Sequence, residues 1–233
     1  MESSPSTQDE AALSVRDLSF AYPGSDWSLD VGRLDIAVGE QVLLTGGSGR
    51  GKSTLLHLIA GLEQPRGGQV YVAGRNIHSL GGAARDRYRG RHIGMIFQTF
   101  NLLHGFSALE NVMAALMFSD VPRGQHRPKA LELLEQLGID RWTATPDALS
   151  IGQQQRVAVA RALACGPAIV LADEPTASLD PENTLASMEM IQNVCRERNA
   201  ALLCVSHEPA MTERFERRHT LDELAPAGAG KGA

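Results

Sequence analysis

The stretch QVLLTGGSGRGKSTLLHLIA, Gln41 to Ala60, decides the fold. QVLLT is an apolar run of strand length, and LLHLIA is a helical run stopped by Gly61. Between them Gly46, Gly47, Ser48, Gly49, Arg50, Gly51, Lys52, Ser53 and Thr54 match G-x-x-x-x-G-K-[ST] in the strand–loop–helix setting the motif requires. Glycines let backbone N–H groups converge on phosphate oxygens without a Cβ in the way, and the helix N-terminus adds partial positive charge. Lys52 can reach β- and γ-phosphates, and Ser53 can ligate Mg²⁺. The stretch predicts an α/β core with a nucleotide phosphate held at the mouth of the sheet.

Outward from the loop the pattern is consistent. Upstream, Leu13 to Tyr22 and Leu29 to Val38 are β-rich. Downstream, Gln69 to Ala73 and His92 to Phe97 read as strands. Helices are predicted at Ala108 to Phe118, at Pro128 to Leu137 with Gly138 as the stop, and from about Ile151 to Cys165. Ala168 to Ala172 and Ala201 to Val205 are continuous apolar runs flanked by helices, as a parallel sheet covered on both faces demands. The organisation predicted is a disordered tail over 1–12, a single domain over 13–224 with a helical insertion at about 99–165, and a flexible tail over 225–233.

Two further segments carry chemistry. The run Ala168 to Ala172 leads into Asp173-Glu174-Pro175, which delivers two carboxylates to the end of a buried strand. Asp173 is placed to hold a metal ion, directly or through water, and Glu174 to polarise an attacking water. Ser150-Ile151-Gly152-Gln153 fits the capping box S-x-x-Q and opens the helix QQRVAVARALAC. Read alone this is a well-capped helix. Gly152 nevertheless leaves its N–H open to a close anionic ligand. Apolar Val157, Ala158, Leu163 and Ala164 form one side of that helix, and Arg156 and Arg161 are expected to be exposed.

Composition limits the function classes. Among 233 residues, 22 Lys and Arg stand against 27 Asp and Glu, a net charge of −5, and 43% are apolar. A protein built to neutralise nucleic-acid phosphates is usually basic, so nucleic acid is not an expected partner. Cys165, Cys195 and Cys204 form no CxxC pair and read as reduced thiols. No apolar run reaches the ~18–20 residues of a membrane span, and the N-terminal residues lack signal-peptide character. A cytoplasmic chain is expected, reaching a membrane only through a partner.

GGSGRGKST, Gln98 after HIGMIF, LSIGQ, VLADEP, Ala177-Ser178-Leu179-Asp180 and Val205-Ser206-His207 follow one another in that order. The set resembles the ATP-binding subunit of ATP-binding-cassette (ABC) transporters over residues 13 to about 215. The resemblance implies a P-loop core with a parallel sheet, an N-terminal antiparallel β subdomain and a helical insertion. It implies ATP and Mg²⁺ as cofactors, and a head-to-tail, ATP-dependent homodimer around two nucleotides. By the resemblance, Tyr22 stacks on adenine, though an ordinary core tyrosine is the alternative. Gln98 senses Mg²⁺ and water, Glu174 is the general base, and His207 holds the γ-phosphate and orients the base. Ser150, Gly152 and Gln153 touch the ATP of the partner subunit, and Asp180 lies at the dimer interface. The family pattern has glycine where Ile151 stands; isoleucine is compatible with the negative φ of a first helical residue.

Within the family, IGMIFQTFNLL, FSALENV and LSIGQQQRVAVARALA look most like the exporter-type group. That group includes lipoprotein-release, macrolide-export and cell-division ATPases. The implied function is ATP hydrolysis driving a separate membrane permease that exports or extracts lipoprotein, lipid, drug or peptide. The alternative is a regulatory module that controls periplasmic cell-wall enzymes through a permease-like partner, without cargo. A soluble ATPase of the DNA-repair or translation kind is disfavoured, because the chain has one phosphate loop and only 50 residues between Gln98 and Leu149. The permease contact is expected at Phe100 and Phe106 in an exposed groove, whereas Leu102 and Leu103 can equally pack the insertion's own core. The helix from Ala108 adds Val112, Leu116 and Met117 to that surface.

Overall fold

A computed structural model describes residues 11–47 and 49–226. In chain order the elements are β1 (Ala11–Ala21), β2 (Ser28–Ala37), β3 (Gln41–Thr45), α1 (Lys52–Ile59), β4 (Gly67–Val72), β5 (Arg75–Asn76), α2 (Gly82–His92) and β6 (Ile93–Ile96). There follow α3 (Ala108–Leu116), α4 (Arg123–Gln136), α5 (Ile151–Leu163), β7 (Ile169–Asp173), α6 (Pro181–Glu197), β8 (Ala201–Val205), α7 (Pro209–Thr212), β9 (Arg217–Thr220) and α8 (Leu221–Leu224).

The strands form two sheets. One is antiparallel, in the order β2-β1-β4-β5. The other is parallel throughout, in the order β6-β7-β8-β3-β9. Side chains of the parallel strands alternate between two cores. Leu43, Val170, Ala172, Leu202 and Cys204 join the core that contains α3–α6. Val42, Leu44, Ile169, Leu171 and Leu203 join the one built by α1 and the antiparallel sheet. This is why these strands read as unbroken apolar runs: the period of two is there, but both faces are buried. The helical insertion has no separate core. Leu133 and Leu134 of α4 belong to the same cluster as Leu43 of β3.

The sequence reading differs from the structure in several places. β1 begins at Ala11, and Ala12 is buried, so the predicted N-terminal tail loses its last two residues to the sheet. Residues 1–10 and the tail from 227 onward lie outside the described residues, whereas Ala225 and Pro226 are described. α4 starts at Arg123 and carries Pro128 within it, rather than starting at that proline. α2 has no buried residue, so no apolar period betrays it. The stretch after His207, for which the sequence suggests no element, contributes β9, which pairs with β3 along Val42–Thr45. Its sequence RRHT is polar, as suits the edge of a sheet. Among the described residues no helix is long and apolar enough to cross a membrane. The three cysteines are free, and burial pushes the thiols of Cys165 and Cys195 up to about 11 and about 12 and that of Cys204 upward as well.

Candidate functional site

The register of the parallel sheet assembles the site. Leu44 pairs with Val205, Val205 with Asp173, and Ala172 with Ile96. The segments that follow these pairs are the phosphate loop, His207, Glu174 and Gln98, so all of them leave the same C-terminal edge. A cavity of about 550 Å³ there is lined by Tyr22, Trp27, Gly51, Lys52, Ser53, Thr54, Gln98, Asp173, Glu174 and His207, among others. A second cavity of about 650 Å³ opens beside it and is lined by Gly46, Gly47, His207, Glu208 and the β9–α8 segment.

The loop is shaped for close approach. Gly51 has φ +101°, and a Cβ there would stand 2.5 Å from Cζ2 of Trp27, so both backbone angle and space demand glycine. α1 has no side-chain cap, which leaves its first N–H groups to a ligand. Lys52 is buried, and its ammonium donates to the carbonyls of Gly46 at 2.8 Å and Gly47 at 2.9 Å. Gly49 lines the cavity, and Arg50 at the loop surface pairs with Asp222 at 3.5 Å. Ser48 lies outside the described residues.

Glu174 sits at φ +46°, an unfavourable backbone region for a residue with a Cβ. Three hydrogen bonds hold that turn. The Glu174 N–H donates to the Val205 carbonyl at 3.0 Å, the Ala177 N–H donates to the Glu174 carbonyl at 3.1 Å, and Nε2 of Gln155 donates to the Pro175 carbonyl at 2.8 Å. The result aims the carboxyl into the cavity. Oε1 of Glu174 lies 2.7 Å from Nδ1 of His207. An ionised carboxylate can only accept, so the bond requires the proton on Nδ1. That bond and the carboxylate's charge raise the His207 pKa above its ordinary 6.5.

Oε2 of Glu174 and Oδ1 of Asp173 are buried without a hydrogen-bond partner. Two unpartnered carboxylate oxygens beside the Ser53 hydroxyl and the phosphate loop are the donor set of a hard divalent cation, so the residues fit Mg²⁺. Gln98 is exposed at the cavity rim, and its carbonyl accepts from Oγ of Ser178 at 3.0 Å. Tyr22 is stacked on Trp27, with ring centroids 5.8 Å apart, and its hydroxyl is 3.5 Å from that of Thr54. Tyr22 is therefore half-exposed at the cavity and not a core tyrosine.

Ser150, Gly152, Gln153 and Asp180 do not line this cavity. The capping box is formed in full: Gln153 N–H donates to Ser150 Oγ at 3.3 Å, and Ser150 N–H to Gln153 Oε1 at 3.0 Å. A Cβ on Gly152 would meet nothing within 4 Å, so the chain's own packing does not require glycine there. Ile151 is 53% exposed in the first helical position, where isoleucine is accommodated. Asp180 is exposed ahead of α6 and makes no side-chain cap.

Three expectations are corrected. Phe100 is 4% exposed and belongs to the core, not to a groove. Val112 and Leu116 are also buried, whereas Leu103, Phe106 and Met117 are exposed. Arg161 is not a free surface cation: its guanidinium donates to the carbonyls of Phe100 at 2.7 Å and Asn101 at 2.5 Å. Those two residues have positive φ, so Arg161 fastens a strained turn. The residues that the sequence reading missed are Trp27 and Gln155. Each had a local signal: an aromatic in a polar turn five residues beyond Tyr22, and an amide on the apolar side of α5.

The family model described as ABC transporter matches residues 29–177. The lipoprotein-releasing system ATP-binding protein LolD of Geobacter metallireducens is 41% identical, covering 88% of this chain and 93% of its own. The protein of the same name from Xanthomonas campestris is 42% identical, covering 83% and 84%. Among solved structures, a dimeric post-hydrolysis state of an ATP-binding cassette bound to ADP and Pi superposes with a TM-score of 0.76 at 32% identity, covering 89% of this chain and 93% of that one. A dimeric bacterial ABC transporter cassette superposes equally well.

Proposed function

The chain belongs to the ABC transporter family of ATP-binding proteins and is an ATPase, and from that premise we propose that it powers release of lipoproteins through a separate membrane permease. The observation that carries the chemistry is the Glu174–His207 pair at 2.7 Å, facing the phosphate loop across one cavity. The substrate class is supported by the relatives at 41–42% identity, which are lipoprotein-releasing ATP-binding proteins.

ATP lies with its adenine against Tyr22 and its phosphates on the N–H groups of Gly46 to Thr54. Lys52 turns from the loop carbonyls to the β- and γ-phosphates. Ser53, Asp173 and Gln98 would hold Mg²⁺, which when bound would offset phosphate charge. Glu174 accepts a proton from the water that attacks the γ-phosphorus. The bond to the β-phosphate oxygen breaks as that to water forms, leaving ADP and phosphate. His207 keeps the Glu174 carboxylate aimed and gives a cationic N–H to the γ-phosphate. Ser150, Gly152 and Gln153 of a second copy complete each site head-to-tail, with Asp180 at the interface; the dimeric cassettes at 32% identity are consistent with this arrangement. The subunit works at the cytoplasmic face of the cell membrane, held there by the permease.

The test is reconstitution with the permease in vesicles loaded with lipoprotein. ATP should release lipoprotein, and Glu174→Gln should stop release while ATP still binds. ATP-dependent activation of a cell-wall enzyme with no lipoprotein released would instead support the regulatory alternative, which the similar proteins do not favour.

A further inference from the structure

Gln155 is fully buried, yet it is polar and lies on the apolar side of α5. Its Nε2 donates to the carbonyl of Pro175 at 2.8 Å, and its Oε1 has no partner. A buried amide left half unpaired is costly, and an apolar side chain of similar length would fill the space more cheaply. What the amide provides is a fixed link. At one end stands α5, whose N-cap Ser150 is five residues away and locked by its capping box. At the other stands the turn at Glu174, held at φ +46°. Pro175, the residue gripped, is the next in the chain and is itself buried. A helix of this length is stiff, so a displacement of its first turn moves Gln155 and pulls on the Pro175 carbonyl.

In the head-to-tail arrangement the two ends of this link belong to different nucleotides. Glu174 acts on the ATP of its own subunit, whereas Ser150, Gly152 and Gln153 touch the ATP of the partner. We propose that Gln155 is a positioning residue that couples the two ATP sites of the dimer, by tying each Glu174 turn to the helix end that serves the other site. The proposal rests on the shared-site reading above. Occupancy of the partner's nucleotide seats Ser150–Gln153, α5 settles, and the Gln155–Pro175 bond sets the Glu174 carboxyl for hydrolysis. Each site thereby senses whether the other is loaded.

The experiment uses the full chain and three proteins: wild type, Gln155→Met and Gln155→Glu. Methionine keeps length and packing but cannot donate. A buried glutamic acid stays protonated to higher pH than an exposed one, and its O–H can donate to the Pro175 carbonyl until it ionises. For Gln155→Met we expect unchanged nucleotide affinity of the isolated monomer, a kcat lower by roughly 10-fold, and a Hill coefficient for ATP falling to about one. Gln155→Glu should recover kcat and cooperativity relative to wild type at low pH and lose both as pH rises. Because ionising a buried carboxylate also disturbs packing, melting temperature is followed over the same pH range, and a loss of kcat and cooperativity that merely tracks loss of stability would overturn the proposal. Wild-type kcat and Hill coefficient in Gln155→Met would overturn the proposal. So would a reduced kcat with cooperativity intact, which would make Gln155 a packing residue only. If Gln155→Met fails to fold, the pH profile of Gln155→Glu decides, and a flat profile overturns it. If the wild-type protein itself shows strictly linear dependence of rate on concentration, the shared-site reading fails and this proposal with it; a faster-than-linear rise separates the two cases.

Discussion

Glu174 and His207 are paired through one hydrogen bond, and that bond makes the histidine a reporter of the Glu174 carboxylate. Glu174 holds the His207 pKa above 6.5. Because the folded value is raised, the pairing of charged His207 with Glu174 contributes fully below about pH 6.5 and fades as pH rises through the raised value. Glu174→Gln should return the His207 titration toward 6.5, read by NMR of the imidazole protons; an unmoved titration would mean that the pair does not form in solution. The same substitution keeps shape but cannot accept a proton, so hydrolysis should fall by roughly 10²–10⁴-fold while ATP-bound dimers accumulate. Trp27 is a second test at this scale. It stacks on Tyr22 and covers Gly51, so it forms one wall of the nucleotide cavity. Trp27→Ala should raise KM for ATP by roughly 10-fold, the cost of about 1.4 kcal/mol of lost aromatic contact. It should also abolish any change in tryptophan fluorescence on ATP binding, since the other tryptophan, Trp142, packs instead against the core that contains α3–α6.

At the level of elements, what was legible in the sequence was what is local. The strand and helix that flank the phosphate loop, the capping box at Ser150 and the acidic pair at the end of β7 are each written in a few consecutive residues, and the structure forms them there. α2 escaped because it is polar on every side, and β9 because an edge strand needs no apolar alternation. Phe100 was misplaced for a related reason. An aromatic next to a polar turn looks exposed in one dimension, but the positive φ values of Phe100 and Asn101, fastened by Arg161, swing its ring into the core. Phe100→Ala is therefore expected to cost about 3–5 kcal/mol of stability, not to uncouple a partner selectively. Asn111 of α3 is another element-scale device. It is fully buried, its Oδ1 accepts from Leu103 N–H at 2.7 Å, and its Nδ2 reaches the carbonyls of Leu103, Phe106 and Ser107. One side chain thus moulds the 103–107 loop. Asn111→Ala should lower stability by about 1–3 kcal/mol in denaturant unfolding, by leaving buried backbone groups unpaired.

On the scale of the whole molecule, the cavity holding Lys52, Glu174 and His207 contains no part of Ser150–Gln153. In the head-to-tail arrangement proposed above, two copies meet before either site is complete, so turnover by the isolated subunit should rise faster than linearly with protein concentration. Strict proportionality from a monomer shown by sedimentation would contradict the shared site. Under the proposed function, movement at the nucleotide site would have to reach the permease. Phe106 and Leu103 are 48% and 43% exposed and sit on the loop that Asn111 shapes, a few residues after Gln98. That loop follows Gln98 at the cavity rim, whose backbone carbonyl accepts from Oγ of Ser178. An exposed aromatic beside an exposed aliphatic side chain is the kind of surface that partners use, and under the proposed function its occupant would be a cytoplasmic helix of the permease. Phe106→Ala should leave melting temperature and basal ATPase activity unchanged, because the ring is outside the core and outside the nucleotide cavity. Stimulation of the ATPase by the permease should nevertheless fall by roughly 10-fold, in keeping with loss of an aromatic anchor of about 1–2 kcal/mol. Full stimulation and unaltered co-purification of the Phe106→Ala protein would place the permease contact on another face, and the exposed Met117 and Phe118 at the far end of α3 would be the next surface to change.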